Sequence, residues 1–213
     1  MKVLLAGATG LVGREILARL LADRSITEVH TLGRRAPPTP HARLHHHASD
    51  LRNIPALPPL HTVFIALGTT IKVAGSQEAF RAVDHDAVLA VAHAARTAGA
   101  TRLGLVSAMG ADTGSRIFYS RVKGEVEQAI AQIGFETLVI ARPSLLVGER
   151  STLGQPVRRG EVIGEAISRW LRPLIPANAR AIRAADVARA LVDAVGQGQP
   201  GRRVLLSGQM QRS

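Results

Sequence analysis

The chain has 213 residues, 46% of them hydrophobic, and it contains no cysteine. Disulfides, thiolate nucleophiles and cysteine-ligated zinc are therefore excluded. This length supports one hydrophobic core, and we interpret residues 1–213 as a single domain in which the residues after about 144 form a small substrate-side segment. The formal net charge of +11 attracts anionic ligands in general, but only 3% of residues are aromatic. Few rings could stack on bases, so nucleic-acid binding is a disfavoured main function.

The expected location follows from what the sequence lacks. No apolar run approaches the roughly 20 residues that span a bilayer, and the N-terminus leads directly into an apolar segment instead of a cleavage site. Nearly all the positive charge is arginine, and alanine is abundant, which suggests the coding bias of a GC-rich bacterium. We therefore expect a bacterial, cytoplasmic protein that does not bind membranes.

Short apolar runs alternate with longer segments of helical period, the pattern of a parallel sheet covered by helices on both faces. The predicted strands are residues 2–6, 28–32, 43–47, 62–66, 102–107, 137–141 and 203–207. The predicted helices are residues 11–21, 76–97, 116–133, 158–171 and 186–195. The proline-rich stretch 36–59 is predicted to be a loop around one short strand. The expected fold is a single-domain, Rossmann-type α/β fold with a doubly wound parallel sheet.

A glycine-rich turn joins the first predicted strand to the first helix, with the spacing G-x-x-G-x-x-G. Gly7 would permit a tight turn, Gly10 would let a pyrophosphate approach the backbone, and Gly13 would let helix and strand pack closely. The helix N-terminus offers unpaired N–H groups to phosphates. The residues of this turn that we expect to contact a dinucleotide are Gly7, Thr9, Gly10, Leu11 and Val12.

The end of the second predicted strand indicates which dinucleotide binds. Enzymes that use NAD usually place an acidic residue there for the ribose hydroxyls, whereas an arginine accommodates the 2′-phosphate of NADP. Here Gly33 is followed by Arg34 and Arg35, and no acid is present. A guanidinium can bind a phosphate bidentately, so this pair predicts NADPH as the cofactor.

Two further turns follow predicted strands, at the edge where open α/β sheets bind ligands. Asp50 and Leu51 could flank the adenine, although Asp50 could equally cap a helix. Leu67, Gly68 and Thr69 could pass under the ribose and the nicotinamide.

Three residues form the candidate catalytic group. Tyr119, the only tyrosine, precedes Lys123 by one helical turn, so both side chains share a helix face. An ammonium near the phenol is expected to lower the pKa of Tyr119 toward neutrality, which would let it exchange a proton with a substrate oxygen. Ser107, at the end of the preceding strand, could hydrogen-bond the same oxygen.

Over its whole length the chain resembles the atypical short-chain dehydrogenase/reductases, and it is similar to the bacterial relatives of the NADPH-binding Tat-interacting protein of thirty kilodaltons. The resemblance rests on the segments 7–13, 32–35, 67–70 and 122–127, on Ser107 and Tyr119, and on Arg142 with Pro143. It implies that Lys123 also binds the nicotinamide ribose and that Pro143 and Leu145 line the nicotinamide face. Members of this subgroup bind NADPH more regularly than they show turnover.

The histidine run and the pair Asp84 and His85 are weaker signals in the sequence. His45 and His47 would share one strand face and His46 the other, and no acid or cysteine accompanies them at a metal-site spacing, so we expect no metal site. Asp84 and His85 fit either a charged surface or a cofactor contact. The leading function is an NADPH-dependent oxidoreductase that acts on a small carbonyl or alcohol. The alternatives are a non-catalytic NADPH-binding regulator, with a protein partner or a second copy of the chain, and a less favoured redox-neutral isomerase or epimerase.

Overall fold

The computed structural model describes residues 1–147 and 176–211. Its strands are β1 (Lys2–Ala6), β2 (Glu28–Gly33), β3 (Leu44–Ala48), β4 (Thr62–Ile65), β5 (Arg102–Val106), β6 (Thr137–Arg142), β7 (Leu146–Val147), β8 (Ile182–Arg183) and β9 (Gly201–Leu206). Its α-helices are α1 (Leu11–Ala22), α2 (Ile71–Ala74), α3 (Gln77–Arg81), α4 (Ala87–Thr97), α5 (Phe118–Ala131), α6 (Ala184–Gly196) and α7 (Ser207–Met210). A π-helical turn spans Ala82–Asp86, and a 3₁₀ turn spans Ala177–Ala179.

Seven strands form one parallel sheet in the order β3-β2-β1-β4-β5-β6-β9. The strand order reverses between β1 and β4, which places the ligand crevice of a doubly wound sheet beyond the carboxyl ends of these two strands. The predicted Rossmann-type fold is confirmed, and each of the seven predicted strands is present with its ends shifted by at most two residues.

The apolar character of β1 is continuous because both of its faces are covered. Val3 and Leu5 pack into one core with α1 and α6, whereas Leu4 and Ala6 pack into a second core with α4 and α5. Side chains alternate between the two faces of a strand, so a strand buried on both sides needs apolar residues at every position. The central strand is therefore fixed between two helical layers.

The long helix predicted at residues 76–97 is present as three consecutive pieces. Ser76 caps α3 by accepting a hydrogen bond from the backbone N–H of Ala79, and the π-helical turn then leads into α4. A π-turn has one more residue than an α-turn and is often found at functional sites. The small sheet of β7 and β8 was not predicted, since two-residue strands leave no periodic signal. The predicted helix at residues 158–171 lies outside the described residues.

At one sheet edge, β3 pairs with β2 and carries the histidine run. His45 and His47 both contact the ring of His30 on β2, whereas His46 lies near the hydroxyl of Thr31 on the other face. The predicted alternation and the half-exposed edge strand are confirmed. Within residues 1–147 and 176–211, no cluster of histidine and acidic side chains is arranged to hold a metal ion. Across the same ranges, no helix is both long and apolar enough to cross a membrane.

Candidate active site

The turn between β1 and α1 is built by glycines. Gly7 has a φ of +89°, and a Cβ on it would lie 2.4 Å from the carbonyl oxygen of Ala66. A Cβ on Gly13 would lie 2.0 Å from the carbonyl oxygen of Gly7, so only glycine lets the helix approach the strand this closely. Gly10 precedes α1 and offers no side-chain cap, which leaves the first N–H groups of the helix without a side-chain acceptor. This cradle suits the pyrophosphate of a dinucleotide.

The remaining residues of this turn have different surroundings. Ala8 and Val12 are buried in the core beside α1, whereas Thr9 and Leu11 are half-buried. Val12 therefore supports the turn by packing, and Thr9 and Leu11 remain accessible to a ligand.

Arg34 and Arg35 follow the end of β2, and both are exposed. Within the described ranges, neither arginine has an ion pair or a hydrogen bond to another side chain. Both guanidinium groups are therefore accessible beyond the β2 end of the sheet, and their role in binding a 2′-phosphate stays a prediction.

The turn after β3 leads into a loop and not into a helix, so Asp50 does not cap a helix and its contact with adenine stays a prediction. Asp50 Oδ1 accepts hydrogen bonds from the backbone N–H groups of Arg52 and Asn53, at 2.9 and 3.2 Å, which lower the pKa of this carboxyl group. Asp50 therefore stabilises its own loop. Leu51 has a φ of +69°, a conformation that a bulky residue adopts only when its surroundings enforce it. Its side chain is half-buried against the core on the α4 side.

The loop after β4 connects the crevice to the candidate catalytic residues. Thr69 donates its backbone N–H to Asp84 Oδ2 at 2.8 Å. A Cβ on Gly68 would lie 3.5 Å from Asp84 Oδ1 and 4.0 Å from Lys123 Nζ. Residues 67–69, expected to contact the cofactor, therefore lie directly against the lysine of α5.

Lys123 and Asp84 form an ion pair that is almost completely buried. Lys123 Nζ lies 2.7 Å from Asp84 Oδ1, and the two side chains are 5% and 0% exposed. Asp84 belongs to the π-helical turn and is the residue that the sequence left unassigned. Its partner is distant in sequence, so no local spacing indicated the pair.

Tyr119 is half-buried beside Phe80, with ring centroids 5.5 Å apart. Burial, and next the negative charge of Asp84, raise the pKa of Tyr119 to about 12. The expected lowering of this pKa by Lys123 is therefore wrong for this structure, since the ammonium group is paired with a buried carboxylate.

Ser107 lies at the end of β5 as expected, but its hydroxyl has a partner that the sequence did not suggest. It donates a hydrogen bond of 2.6 Å to Oε1 of Glu127, which is 1% exposed. Glu127 also accepts hydrogen bonds from Arg142 and Arg202, the shortest being 2.6 Å from Arg142 Nη2. The Glu127 carboxylate is thus the acceptor for all three side chains, and Ser107 is the donor of its hydrogen bond.

Pro143 and Leu145 follow β6 at the same edge of the sheet. Pro143 is buried, and its carbonyl oxygen accepts a hydrogen bond of 2.9 Å from the backbone N–H of Met109. Leu145 is 71% exposed. Its apolar side chain is therefore available to a ligand, whereas Pro143 fixes the loop.

A parallel sheet with a glycine cradle at its switch point defines a dinucleotide-binding class of protein. The chain belongs to the NAD dependent epimerase/dehydratase family, whose model matches residues 3–205. This is a family of oxidoreductase-like enzymes.

Curated relatives with sequence similarity come from fungi. The chain is 41% identical over 158 residues to the mitochondrial protein fmp52 of Emericella nidulans. The aligned segment covers 70% of this chain and 68% of the fungal protein. It is 35% identical over 208 residues to the mitochondrial protein FMP52 of Coccidioides immitis, covering 89% and 83% of the two chains. These relatives contradict the expected bacterial, cytoplasmic protein. Arginine and alanine content does not identify the source, and the lack of a long apolar run does not exclude a mitochondrial protein.

Solved structures share the fold at low identity. MoeE5 in complex with UDP-glucose and NAD superposes with a TM-score of 0.72 and 20% identity, over 96% of this chain and 75% of that chain. A short-chain dehydrogenase family protein from Francisella tularensis superposes with a TM-score of 0.67 and 11% identity, over 98% of both chains.

Proposed function

We propose that this protein is an NADPH-dependent oxidoreductase of the atypical short-chain dehydrogenase/reductase type, which reduces a small carbonyl group or oxidises the corresponding alcohol. The observation that carries the proposal is that Asp84 contacts both Lys123 on α5 and the backbone of Thr69 in the loop after β4, which supports a site for Tyr119 and Lys123 near the crevice at the strand switch point. Membership of the NAD dependent epimerase/dehydratase family supports oxidoreductase-type chemistry.

The residues present fit a dinucleotide. The cradle of Gly7 and Gly10 would hold the pyrophosphate, and Arg34 with Arg35 would bind the 2′-phosphate. Asp50 and Leu51 would lie near the adenine, and Leu67 to Thr69, Pro143 and Leu145 would line the nicotinamide end. When bound, the dinucleotide supplies or accepts the hydride.

The protein's own groups would handle the proton. Tyr119 would donate a proton to the carbonyl oxygen during reduction, Lys123 would bind the ribose, and Ser107 would orient the substrate oxygen. Because the hydroxyl proton of Ser107 is donated to Glu127, Ser107 offers lone pairs to the hydroxyl of an alcohol, whereas a carbonyl oxygen would require this proton to turn away from Glu127.

The choice of cofactor is tested with charge reversal at the end of β2. Arg34→Glu combined with Arg35→Glu should weaken NADPH binding about tenfold or more, because charge-assisted hydrogen bonds to the phosphate are lost. NADH affinity should not fall. Arg24→Glu, at an exposed arginine before the opposite end of β2, is the matched control. NADPH and NADH affinities that are unchanged in the double variant would refute the phosphate site.

Catalysis is tested by following NADPH absorbance with aldehydes, ketones and quinones. Tyr119→Phe should reduce turnover by about 10²–10⁴-fold, the usual contribution of a general acid, while NADPH affinity is retained. Equal turnover in the variant and the wild type would exclude the assigned role of Tyr119.

A non-catalytic NADPH-binding regulator is the second candidate. One observation favours it: the hydroxyl proton of Ser107 is donated to Glu127 and is therefore not directed at a substrate oxygen. Tight NADPH binding without turnover on any substrate of the panel would support this function over the enzyme.

Redox-neutral chemistry on a nucleotide-sugar is the third candidate, since MoeE5 is a fold neighbour in complex with UDP-glucose. This chain covers 75% of that protein. Saturable UDP-glucose binding, measured by calorimetry in the presence of NAD, would favour this candidate.

A further inference from the structure

Asp84 connects three parts of the site through one fully buried carboxylate. One oxygen lies 2.7 Å from Lys123 Nζ on α5, and the other accepts the backbone N–H of Thr69, in the loop after β4, at 2.8 Å. Asp84 itself lies in the π-helical turn between α3 and α4. Neither oxygen is exposed to solvent, so the whole charge of this carboxylate acts inside the protein.

We propose that Asp84 is a positioning residue that keeps Tyr119 protonated: its carboxylate holds and neutralises the Lys123 ammonium, so the site presents a proton donor rather than a phenolate. The use of that proton for carbonyl reduction rests on the proposed function. The protonation state of Tyr119 is a property of the protein alone and can be measured without any substrate.

The electrostatic argument starts from the pair itself. A buried ammonium one helical turn from a phenol would stabilise the phenolate, because opposite charges interact strongly away from water. With Asp84 at 2.7 Å, the pair has no net charge, and the carboxylate in addition repels a phenolate. Burial and the charge of Asp84 accordingly raise the pKa of Tyr119.

Few other charged groups near Tyr119 could change the pKa of its phenol. The ring packs against Phe80 of α3, which is apolar and fully buried. Lys123 lies one turn further along the same helix, and Asp84 is the charged group that acts on the phenol from a different element. Arg81 and Arg121 of the neighbouring turns are paired with Glu125.

The consequence for chemistry is a preferred direction. A phenol that stays protonated near neutral pH can donate to a carbonyl oxygen, whereas abstraction of a proton from an alcohol requires the phenolate. Carbonyl reduction is therefore favoured near neutral pH, and alcohol oxidation requires alkaline pH.

The test uses the fact that Tyr119 is the only tyrosine, so the near-ultraviolet phenolate absorbance reports a single group. Asp84→Asn should lower the pH midpoint of phenolate formation by about one to three units, the usual effect of an unneutralised neighbouring charge. Asp86→Asn is the matched control, because it removes an exposed carboxylate from the same turn. Far-ultraviolet circular dichroism at each pH restricts the comparison to folded protein. A folded Asp84→Asn variant with the wild-type midpoint would overturn the proposal.

A second pair of variants applies if Asp84→Asn does not fold. Lys123→Met retains the carboxylate without the ammonium, and Asp84→Asn combined with Lys123→Met replaces the buried ion pair by two neutral groups. The double variant should form phenolate at a lower pH than Lys123→Met alone, because the repelling carboxylate is gone. Equal midpoints in these two variants would also overturn the proposal.

The phenolate measurement tests the role of Asp84 separately from the proposed oxidoreductase function. If no variant reduces any carbonyl but the phenolate midpoint shifts as expected, the oxidoreductase assignment fails and the role of Asp84 stands. If turnover is present, its alkaline limb should move to lower pH in Asp84→Asn. Turnover with an unmoved phenolate midpoint would refute the role of Asp84 alone.

Discussion

At the scale of single residues, the hydroxyl of Ser107 and the carboxylate of Glu127 form a short, buried hydrogen bond of 2.6 Å. Charged acceptors make such bonds stronger than neutral ones, and here Arg142 and Arg202 hold the acceptor in place. The pKa of Arg142 is raised chiefly by its hydrogen bond to Glu127. The serine is thus fixed in orientation before any ligand binds.

This bond predicts energetic coupling between the two side chains. In a double-mutant cycle of Ser107→Ala and Glu127→Gln, we expect a coupling energy of about 1–3 kcal/mol in the free energy of unfolding, measured with urea. Ser120→Ala with Glu127→Gln is the control cycle, since the Ser120 side chain is half-buried on the same helix and has no hydrogen bond to Glu127. A coupling energy no larger than in the control cycle would show that the hydrogen bond is absent in solution.

The sequence contained a signal for one of the two acids that it missed. Tyr119, Lys123 and Glu127 are spaced by four residues, so Glu127 shares the helix face of the predicted pair. Asp84 had no such signal, because its partner Lys123 lies on another helix. Contacts between distant segments cannot be derived from local spacing.

At the scale of elements, the pairing of β2 with β3 brings the buried His30 against the half-buried His47. His30 Nδ1 lies 3.1 Å from His47 Nε2, and His30 Nε2 lies 3.0 Å from Glu28 Oε2. Burial lowers the pKa of His30 in spite of the hydrogen bond to Glu28, which acts in the opposite direction. Burial, followed by the neighbouring histidines, also lowers the pKa of His47.

These shifts predict a loss of stability in mild acid. The pKa of these imidazoles is about 6.5 in the unfolded chain and lower in the folded protein. Below about pH 6.5 the unfolded chain therefore binds more protons than the folded protein, so the stabilisation that is present above that pH decreases as the pH falls. The urea midpoint of the wild type should be lower near about pH 5.5 than near about pH 7.5. Both pH values lie above the range in which carboxyl groups usually titrate, so the comparison reports chiefly on histidines. His30→Gln combined with His47→Gln should reduce this difference.

The control for this experiment is His93→Gln, at an exposed histidine of α4. It should retain the full difference between the two pH values. A double variant with the same pH dependence as the wild type would assign the acid sensitivity to other groups.

The strands and the helices were predictable from sequence to different extents. Buried parallel strands are continuous apolar runs, and β1 was located at both ends. Residues 76–97 were predicted to be helical, but the interruption of the helix was not predicted. The π-helical turn leaves the helical period of apolar residues intact in α3 and in α4. Element type follows from local pattern, whereas local irregularity follows from tertiary packing.

At the scale of the whole molecule, the order of the strands places every candidate cofactor contact along one edge. Gly7, Arg34, Asp50, Gly68 and Pro143 each follow a different parallel strand, and the carboxyl ends of these strands lie together. Fold recognition from sequence was therefore sufficient to group them. It could not give the protonation state of the site, which depends on side-chain partners that only the assembled structure brings into contact.

Among the described residues, β9 is an edge strand of the sheet and pairs only with β6. The register joins Thr137 to Gly201, and every residue between them must be synthesised before this pair can form. Closing so long a connection costs entropy and slows folding. Until β9 arrives, β6 has unpaired backbone N–H and C=O groups on one side, which makes the nascent chain vulnerable to association with other strands. We therefore expect the pairing of β9 with β6 to be a late step in the folding of the sheet.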